Sequence, residues 1–248
     1  MFDCKLVQNQ LKTTFIGKNI KYFESTNSTN THAWNLANSN VDSGTVIIAN
    51  EQTEGKGRRG NKWFSSNDKS LTFSILLLKN IHERKSILAL IAGLAIIKGI
   101  KKINDIPCYL KWPNDIILNR KKLAGILIEA KRNKIVIGMG INVNEDYHDF
   151  DSTIKNQSIS LKMNEQKSTE RELLLAHILN QFELLYKKNN DEIIKEWLAY
   201  CFHINKEIQF HNDGKITKAI FKSINNDGCG ILNIENKEML ISGGIIEL

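Results

Sequence analysis

The chain has 248 residues, of which 42% are hydrophobic and 25% charged, with a formal net charge of +7 and a pI near 9.1. This length accommodates one large domain, or a medium domain followed by a small one. The lysines are spread along the whole chain, which argues against nucleic-acid binding as the main task. The four cysteines form no CxxC pair and the six histidines no paired-ligand spacing, so we expect reduced thiols and no protein-held zinc.

The sequence contains no segment that predicts secretion or a membrane span. The N-terminus has no basic-then-apolar signal segment, and the longest apolar run, Ile87–Ile97, is too short to span a bilayer. We therefore expect a soluble, cytoplasmic protein without a membrane partner.

The tripeptide Ser-Thr-Asn occurs twice in succession, at Ser25–Asn27 and Ser28–Asn30. These residue types are good helix N-caps, and Ala33–Ala37 reads as the start of a short helix. The same row of hydroxyl and amide groups could hydrogen-bond a polar ligand at the mouth of the helix. Both interpretations can hold together.

A glycine- and arginine-rich loop, Gly55–Gly60, stands between two apolar, β-branched runs, Gly44–Ala49 and Leu71–Leu78. Its glycines let the backbone approach a ligand closely, and its cations suit carboxylate and phosphate. Because the loop joins two strands and lacks the GxxxxGK[ST] pattern, it is not a nucleotide P-loop. A solvated basic hairpin loop is the alternative that composition alone leaves open.

The middle of the chain predicts a buried helix over Glu83–Ile103, apolar on nearly every side, and then a hairpin-like turn at Lys111-Trp112-Pro113-Asn114-Asp115. A strand with one glycine follows at Lys121–Glu129, and another at Lys134–Asn144. In the latter, Gly138 and Gly140 alternate, so both lie on one face of the sheet. They predict a flat floor for a planar ring or, alternatively, a β-bulge or tight crossing.

The remaining chain predicts two amphipathic helices, Glu170–Lys188 and Glu192–Cys201, that cover the sheet. From Asn205 onward, short strands alternate with Asn/Asp-Gly turns, which is typical of a small antiparallel barrel. We expect domain boundaries at residues 1–204 and 205–248, the second too small to be stable by itself.

These motifs together resemble the biotin–protein ligases, over essentially the whole chain from about Leu11. Five motifs occur in the order of that family: Ser28-Thr29-Asn30; Gln52 with Gly55-Lys56-Gly57-Arg58-Arg59-Gly60; Lys111-Trp112-Pro113-Asn114-Asp115; Lys122-Leu123-Ala124-Gly125-Ile126; and Gly138-Met139-Gly140-Ile141-Asn142. Each is weak alone, and their combination is specific.

The resemblance implies an α+β fold: a mixed sheet with covering helices, like that of class II synthetases, plus a small C-terminal SH3-like β-barrel. It implies an ATP-dependent ligase that forms biotinyl-5′-AMP and then transfers biotin to a lysine of a biotin carboxyl carrier protein domain. The expected cofactors are ATP with its Mg²⁺, and biotin is the substrate. No protein-held metal and no specific DNA binding are expected, and a homodimer is possible because exposed sheet edges in this fold often pair.

The resemblance also assigns site residues. The residues expected to carry catalysis are Lys122, Arg58, Lys111 and Asp115. Those expected to bind biotin and the nucleotide are Ser28, Thr29, Asn30, Gln52, Gly55, Lys56, Gly57, Arg58, Arg59, Lys122, Gly125, Asn114 and Asn142. Gln52 with the hydroxyls would bind the ureido ring of biotin, and Lys122 would contact its carboxylate and the phosphate.

Two departures and two alternatives accompany this resemblance. The family usually has arginine where this chain has Lys56, which keeps the charge and loses the bidentate fork. The doubled tripeptide leaves open which copy binds the ligand, and the distance to Gln52 in the sequence favours Ser28–Asn30.

The alternative functions are a lipoate or octanoate–protein ligase of the same fold and a basic nucleic-acid-binding module. Since too few residues precede the first strand for a winged helix, we expect a ligase without repressor function.

Overall fold

The computed structural model describes residues 2–78, 85–212 and 214–247. The helices there are α1 (Cys4–Gln10), α2 (Thr29–Leu36), α3 (Lys85–Lys101), α4 (Leu161–Glu165), α5 (Arg171–Tyr186) and α6 (Asn190–Ala199). None of the helices in these ranges is long and apolar enough to cross a membrane.

A seven-stranded mixed sheet forms the larger part of the molecule. Its strands are β1 (Ile20–Thr26), β2 (Thr45–Gln52), β3 (Leu71–Leu77), β4 (Tyr109–Lys111), β5 (Asp115–Leu118), β6 (Lys121–Lys131) and β7 (Lys134–Ile141). They lie in the order β1-β2-β3-β7-β6-β5-β4, with β1 parallel to β2 and every other pair antiparallel. The predicted α+β class with a mixed sheet is confirmed.

The core lies on the face of this sheet that α3 and α5 cover. Alternate residues of β3, such as Phe73 and Ile75, are completely buried in the same cluster as the apolar residues of α3. Gly99 of α3 lies so close to α5 that an added Cβ would be 2.5 Å from Ile178. The predicted all-round apolar helix is therefore present, and the first residues of its predicted range lie outside the described residues.

Helix α2 packs on the opposite face, at one end of the sheet only. Ala33 of α2 joins a small buried cluster with Ile47 and Val136. The helix begins at Thr29, earlier than the predicted Ala33, because Ser28 has the extended backbone of an N-cap and the next two side chains are buried with polar partners. The rest of this face remains uncovered, and the functional site lies there.

The C-terminal part forms a separate five-stranded antiparallel sheet. Its strands are β8 (Glu207–Asn212), β9 (Lys215–Ile224), β10 (Gly230–Ile234), β11 (Lys237–Ile241) and β12 (Ile245–Glu247), in the order β11-β10-β9-β8-β12. One face buries Phe221 and Leu232. Trp112 connects this sheet to the larger one, since its ring lies 6.1 Å from that of Phe221 and its Nε1 donates to Gly228 O.

One buried carboxylate fastens the N-terminal segment to α5. Glu183 accepts hydrogen bonds from the backbone N–H groups of Thr14, Phe15 and Ile16 at 2.8, 3.1 and 3.1 Å, and pairs with Lys187. Burial alone would raise the pKa of Glu183, but these hydrogen bonds hold it at about 2. Because this pKa is below that of the unfolded chain, Glu183 stabilises the fold above about pH 4.5, and this stabilisation is lost as the pH falls toward 2.

We expect Glu183→Ala to lower the free energy of unfolding by about 3 kcal/mol, because it leaves several buried donors unpaired. Urea denaturation at pH 7 measures this change, and repeating it at pH 3 should give a smaller difference between the two proteins. Glu172→Ala is the matched control on the same helix, since Glu172 accepts one exposed hydrogen bond, from Asp3 N. Equal losses for both variants would contradict the anchoring role of Glu183.

Candidate active site

A cleft of about 1060 Å³ lies over the uncovered face of the seven-stranded sheet. The glycine-rich loop between β2 and β3 and the end of the small sheet border it. The cleft brings together nearly all of the predicted site residues: Ser28, Thr29, Asn30, Gln52, Lys56, Gly57, Arg58, Arg59, Lys111, Asn114, Asp115, Lys122, Gly125 and Asn142. The second Ser-Thr-Asn copy is thus the one that lines the cleft. Gly55 is buried beside it.

One end of the cleft is lined by neutral polar groups at the start of α2. Gln52 Oε1 accepts a hydrogen bond from the backbone N–H of Thr29 at 2.8 Å and lies 3.1 Å from the Thr29 hydroxyl. This leaves the Gln52 Nε2 group to face the cleft as a donor. Ser28 makes no side-chain cap bond, although it is buried. This end suits a small uncharged ring with both N–H and C=O groups.

The glycine-rich loop is folded into a small hairpin. Gly57 N donates to Asn61 O at 2.7 Å and Trp63 N donates to Gly55 O at 2.9 Å. An added Cβ on Gly55 would lie 2.2 Å from Trp63 O, so the missing side chain of Gly55 permits this close approach. The loop is therefore neither a P-loop nor a freely solvated basic turn.

Two arginines of the loop point to different parts of the molecule. Arg58 Nη1 donates to Asn114 Oδ1 at 3.0 Å, across the cleft in the turn between β4 and β5. Arg59 has a positive φ of 55° and its Nη2 lies 3.4 Å from Asn212 Oδ1 of the small sheet. Burial, together with repulsion from Arg59, lowers the pKa of Arg58. Arg58 is thus held inside the cleft as a desolvated cation, which suits an anionic ligand.

A second cationic centre lies on the wall formed by β5 and β6, next to the turn that Arg58 contacts. Lys122 Nζ is 2.7 Å from Asp115 Oδ1 on the neighbouring strand. Gly125 gives it room, because an added Cβ there would lie 3.3 Å from Nζ. Lys111 also lines the cleft, opposite Asp115 in the β4–β5 register. The charge on this wall is therefore positive with one partly neutralising carboxylate.

The floor of the cleft is flat because β7 has glycine at two successive inward positions. An added Cβ on Gly140 would lie 2.3 Å from Trp63 Cε2, and one on Gly138 would lie 2.3 Å from Asn30 Oδ1. The planar ring predicted to lie there is thus, in this structure, the indole of Trp63, whose Nε1 is buried and makes no hydrogen bond. The β-bulge alternative is wrong, since β7 is regularly paired on both sides here.

Trp63 is a cleft residue that the sequence-based assignment left out. Its only signal in the sequence was an aromatic residue close behind the loop. Lys122 Nζ lies 5.9 Å from the centroid of its ring, and the ring covers the glycine floor. The indole therefore forms an apolar surface between the neutral end and the charged wall of the cleft.

Asn142, predicted to bind the nucleotide, also connects two segments of the backbone. Its amide donates to the backbone carbonyls of Lys122 and Ile159 at 3.3 and 3.1 Å, and the side chain is buried. It therefore joins β6 to the segment after β7, which lines the cleft with Thr153 to Ser158. Residues 244–247 of the small sheet line the cleft as well, and sequence reasoning predicted neither segment there.

No cluster of three or more His, Cys, Asp or Glu side chains that could hold a metal occurs within residues 2–78, 85–212 and 214–247. Asp115 Oδ1 is buried, and its partner is Lys122 Nζ at 2.7 Å. A divalent ion here would find a single carboxylate from this wall and would need further oxygen ligands from a substrate.

Comparison with known proteins identifies the family. The model of the biotin/lipoate A/B protein ligase family matches residues 22–146. The bifunctional ligase/repressor BirA of Bacillus subtilis is 36% identical over 240 residues, which cover 92% of this chain and 73% of that protein. The chain belongs to the biotin/lipoate A/B protein ligase family. A second relative, the biotin–[acetyl-CoA-carboxylase] ligase of Mycobacterium tuberculosis, is 26% identical over 229 residues, 88% of this chain and 85% of that one.

Solved structures of this family match over nearly the full length. The biotin protein ligase of Aquifex aeolicus in complex with biotin and ATP superposes with a TM-score of 0.81 at 28% identity, covering 93% of this chain and 98% of that one. The ligase fold therefore extends through the C-terminal sheet. That complex holds a small carboxylic acid and a nucleotide together, and the cleft described above has one neutral and one cationic end.

Proposed function

We propose that this chain is an ATP-dependent biotin–protein ligase that makes biotinyl-5′-AMP and transfers the biotinyl group to a lysine of a carrier domain. The observation that carries the proposal is the composition of one cleft, in which Gln52 and Thr29 form a neutral polar end, Trp63 a flat apolar middle, and Arg58 and Lys122 a cationic end. Biotin has the same sequence of groups: a urea ring, an apolar chain and a carboxylate.

In the first step, a carboxylate oxygen of biotin attacks the α-phosphorus of ATP, and the bond to pyrophosphate breaks. Two anions must approach each other, so the site has to neutralise charge as the new bond forms. Lys122, held by Asp115, and Arg58, held by Asn114, are fixed cations, and because their partners are adjacent in the sequence both lie at one end of the cleft. Because they are oriented before the reaction, no reorganisation is needed at the moment when negative charge develops.

In the second step, the amine of a carrier lysine attacks the acyl carbon, the bond to AMP breaks and the amine loses a proton. The glycine-rich loop covers the cleft and would keep water away from the mixed anhydride in the meantime. Lys111 and Arg59 supply further positive charge for the departing pyrophosphate and AMP. Lys56 has a different part, since its Nζ donates to Thr31 Oγ1 of α2 at 2.8 Å and so fastens the loop to that helix.

Mg²⁺ enters this scheme with the nucleotide, where it would neutralise phosphate charge. Asp115 Oδ1 is paired with Lys122 Nζ at 2.7 Å, so Asp115 would supply at most one carboxylate to a site in which phosphate oxygens provide most of the ligands. Asn114 is committed to the loop instead, since its Nδ2 donates to Ile126 O at 2.8 Å while its Oδ1 accepts from Arg58.

The proposal includes the architecture beyond the mixed sheet. We take residues 1–204 as the catalytic domain and 205–248 as an SH3-like barrel; the five short antiparallel strands with one buried face support this. A biotin carboxyl carrier protein domain is the expected partner, and pairing of two copies through a sheet edge is a further possibility. Since the reaction consumes ATP, we place the enzyme in the cytosol.

Biotin-dependent exchange of pyrophosphate into ATP tests the first step, and transfer of labelled biotin to a purified carrier domain tests the second. We expect both activities. Exchange with lipoate or octanoate instead of biotin would replace the proposal by the other ligase of this family, and no exchange with any of these acids would refute it.

Arg58→Gly is expected to release biotinyl-AMP before transfer. The change removes both the cation in the cleft and the 3.0 Å hydrogen bond that holds the loop to Asn114. We expect the dissociation rate of biotinyl-AMP to rise about tenfold or more, as after the loss of one charge-assisted hydrogen bond. A filter-binding chase with labelled intermediate measures it, and Arg132→Gly, at an exposed turn far from the cleft, is the control. An unchanged dissociation rate would contradict the proposed role of Arg58 in holding the glycine-rich loop over the intermediate.

A further inference from the structure

A chain of hydrogen bonds runs from the surface of the sheet to the neutral end of the cleft. At its outer end, Glu129 Oε2 of β6 accepts from Asn30 Nδ2 at 2.8 Å and from Trp34 Nε1 at 3.2 Å. Further in, Ser74 Oγ of β3 lies 2.6 Å from Asn30 Oδ1 and 2.7 Å from Thr29 Oγ1. Thr29, Asn30 and Ser74 are buried, so these groups satisfy one another and not bulk water.

The donor and the acceptor of each of these hydrogen bonds follow from the chemistry of the groups involved. The carboxylate of Glu129 can only accept, so it holds the NH₂ group of Asn30 and turns the carbonyl Oδ1 toward Ser74. That carbonyl can only accept as well, and a serine hydroxyl has one proton, so Ser74 donates to Asn30. The 2.7 Å contact is then a bond in which Thr29 donates to Ser74, in preference to its longer 3.1 Å contact with Gln52 Oε1, which already accepts the Thr29 N–H.

The consequence appears inside the cleft. With its proton committed to Ser74, the Thr29 hydroxyl presents only acceptor lone pairs to a ligand. Gln52 Oε1 is already occupied by the backbone N–H of Thr29, so Gln52 presents its Nε2 donors. The neutral end therefore offers an acceptor beside a donor, which is the complement of the N–H and C=O groups of a cyclic urea.

We propose that Glu129 and Ser74 are positioning residues that set the donor–acceptor polarity of the pocket for the urea ring. This inference rests on the proposed function, because it takes biotin as the ligand. Neither Glu129 nor Ser74 lines the cleft, so both act through Asn30 and Thr29. If Glu129 could not accept, the Asn30 amide would be free to turn over, and the Thr29 proton could point into the cleft at an N–H group.

The packing around Asn30 is independent support for a fixed amide. Gly138 of β7 is paired with Ser74, and an added Cβ on Gly138 would lie 2.3 Å from Asn30 Oδ1 and 3.1 Å from its Nδ2. The missing side chain of Gly138 therefore provides the space in which the amide plane lies between Glu129 and Ser74. Steric fit thus fixes the plane of the amide, and hydrogen bonding fixes which of its two ends faces Ser74.

Isothermal titration of the full chain with biotin tests the proposal, with the KM for ATP in pyrophosphate exchange as a second readout. Glu129→Leu removes the acceptor, whereas Glu129→Gln keeps a carbonyl that can accept both bonds. We expect Glu129→Leu and Ser74→Ala each to weaken biotin binding about tenfold, and Glu129→Gln to remain near wild type. The double variant Glu129→Leu/Ser74→Ala should be no weaker than either single one, because both break the same chain. The KM for ATP should not change.

The matched control is Thr45→Val, which removes another buried hydroxyl bond, from Thr45 Oγ1 to Asp42 O, at the far end of the β2–β3 pair. It should leave biotin binding unchanged. Wild-type affinity in Glu129→Leu would overturn the inference alone, as would a loss in Glu129→Gln equal to that in Glu129→Leu. Absence of biotin binding by the wild-type protein would overturn the proposed function as well. If Glu129→Leu does not fold, Ser74→Ala decides the question, since it removes a single oxygen atom.

Discussion

Replacing Lys122 with methionine is expected to reduce the rate of biotin adenylation about a thousandfold, with only a small effect on folding. Methionine keeps the length of the side chain and removes the charge that faces both the carboxylate and the α-phosphate in the proposed reaction. Loss of one preorganised electrostatic contact of this kind costs about 3–4 kcal/mol of transition-state stabilisation. Pyrophosphate exchange at saturating biotin and ATP measures it, because binding defects are then overcome by concentration.

A control for Lys122→Met lies on the same strand. Lys131 at the end of β6 is exposed and lies far from the cleft, so Lys131→Met should retain full activity. Thermal unfolding of both variants checks the fold; the ion pair of Lys122 with Asp115 is partly exposed and contributes about 1 kcal/mol or less. Turnover of Lys122→Met near the wild-type rate would remove Lys122 from its proposed role.

Gly140→Ala is expected to raise the KM for biotin about a hundredfold. The new methyl group would lie 2.3 Å from Trp63 Cε2 and 2.6 Å from its Nε1, so the indole has to leave the floor of the cleft. Removing such an apolar contact area from a ligand costs about 2–3 kcal/mol. The KM for biotin in pyrophosphate exchange measures the change.

The double variant Gly140→Ala/Trp63→Phe separates this explanation from a general disturbance of β7. Phenylalanine has one ring in place of the fused pair whose atoms Cε2, Cζ2 and Nε1 lie nearest to the new methyl group, so the smaller side chain can lie on the floor again. We expect the double variant to bind biotin better than Gly140→Ala. If the KM for biotin of the double variant rose by the product of the increases in the two single variants, the role of the floor would be contradicted.

The elements of the main sheet could be predicted because their signals are local. The apolar runs at β2 and β3 and the all-round apolar pattern of α3 each report burial within a few residues. The position of the glycine-rich loop between two strands followed directly, and so did the exclusion of a P-loop. The order of the strands did not follow, because β3 pairs with β7 across 58 to 70 residues and no local pattern contains that information.

The site residues were predictable as a group and less so as individuals. Their motifs indicated which chemistry they share, but the partners of each side chain depend on contacts between distant segments. Asn114 illustrates this: its motif suggested a contact with the nucleotide, and the structure shows it bonded to Arg58 and to Ile126 O. Trp63 and Glu129 escaped notice for the same reason, since their roles come from the glycines and amides they meet only after folding.

One wall of the cleft comes from β12, which is synthesised after all the strands of the mixed sheet. Ser28 and Glu247, both of which line the cleft, are separated by most of the sequence, and β12 joins its sheet only by pairing with β8. On the ribosome, the mixed sheet can form before residues 245–247 have left the exit tunnel. A nascent chain in which these residues are still inside the tunnel would therefore possess a folded main sheet with one wall of its cleft missing.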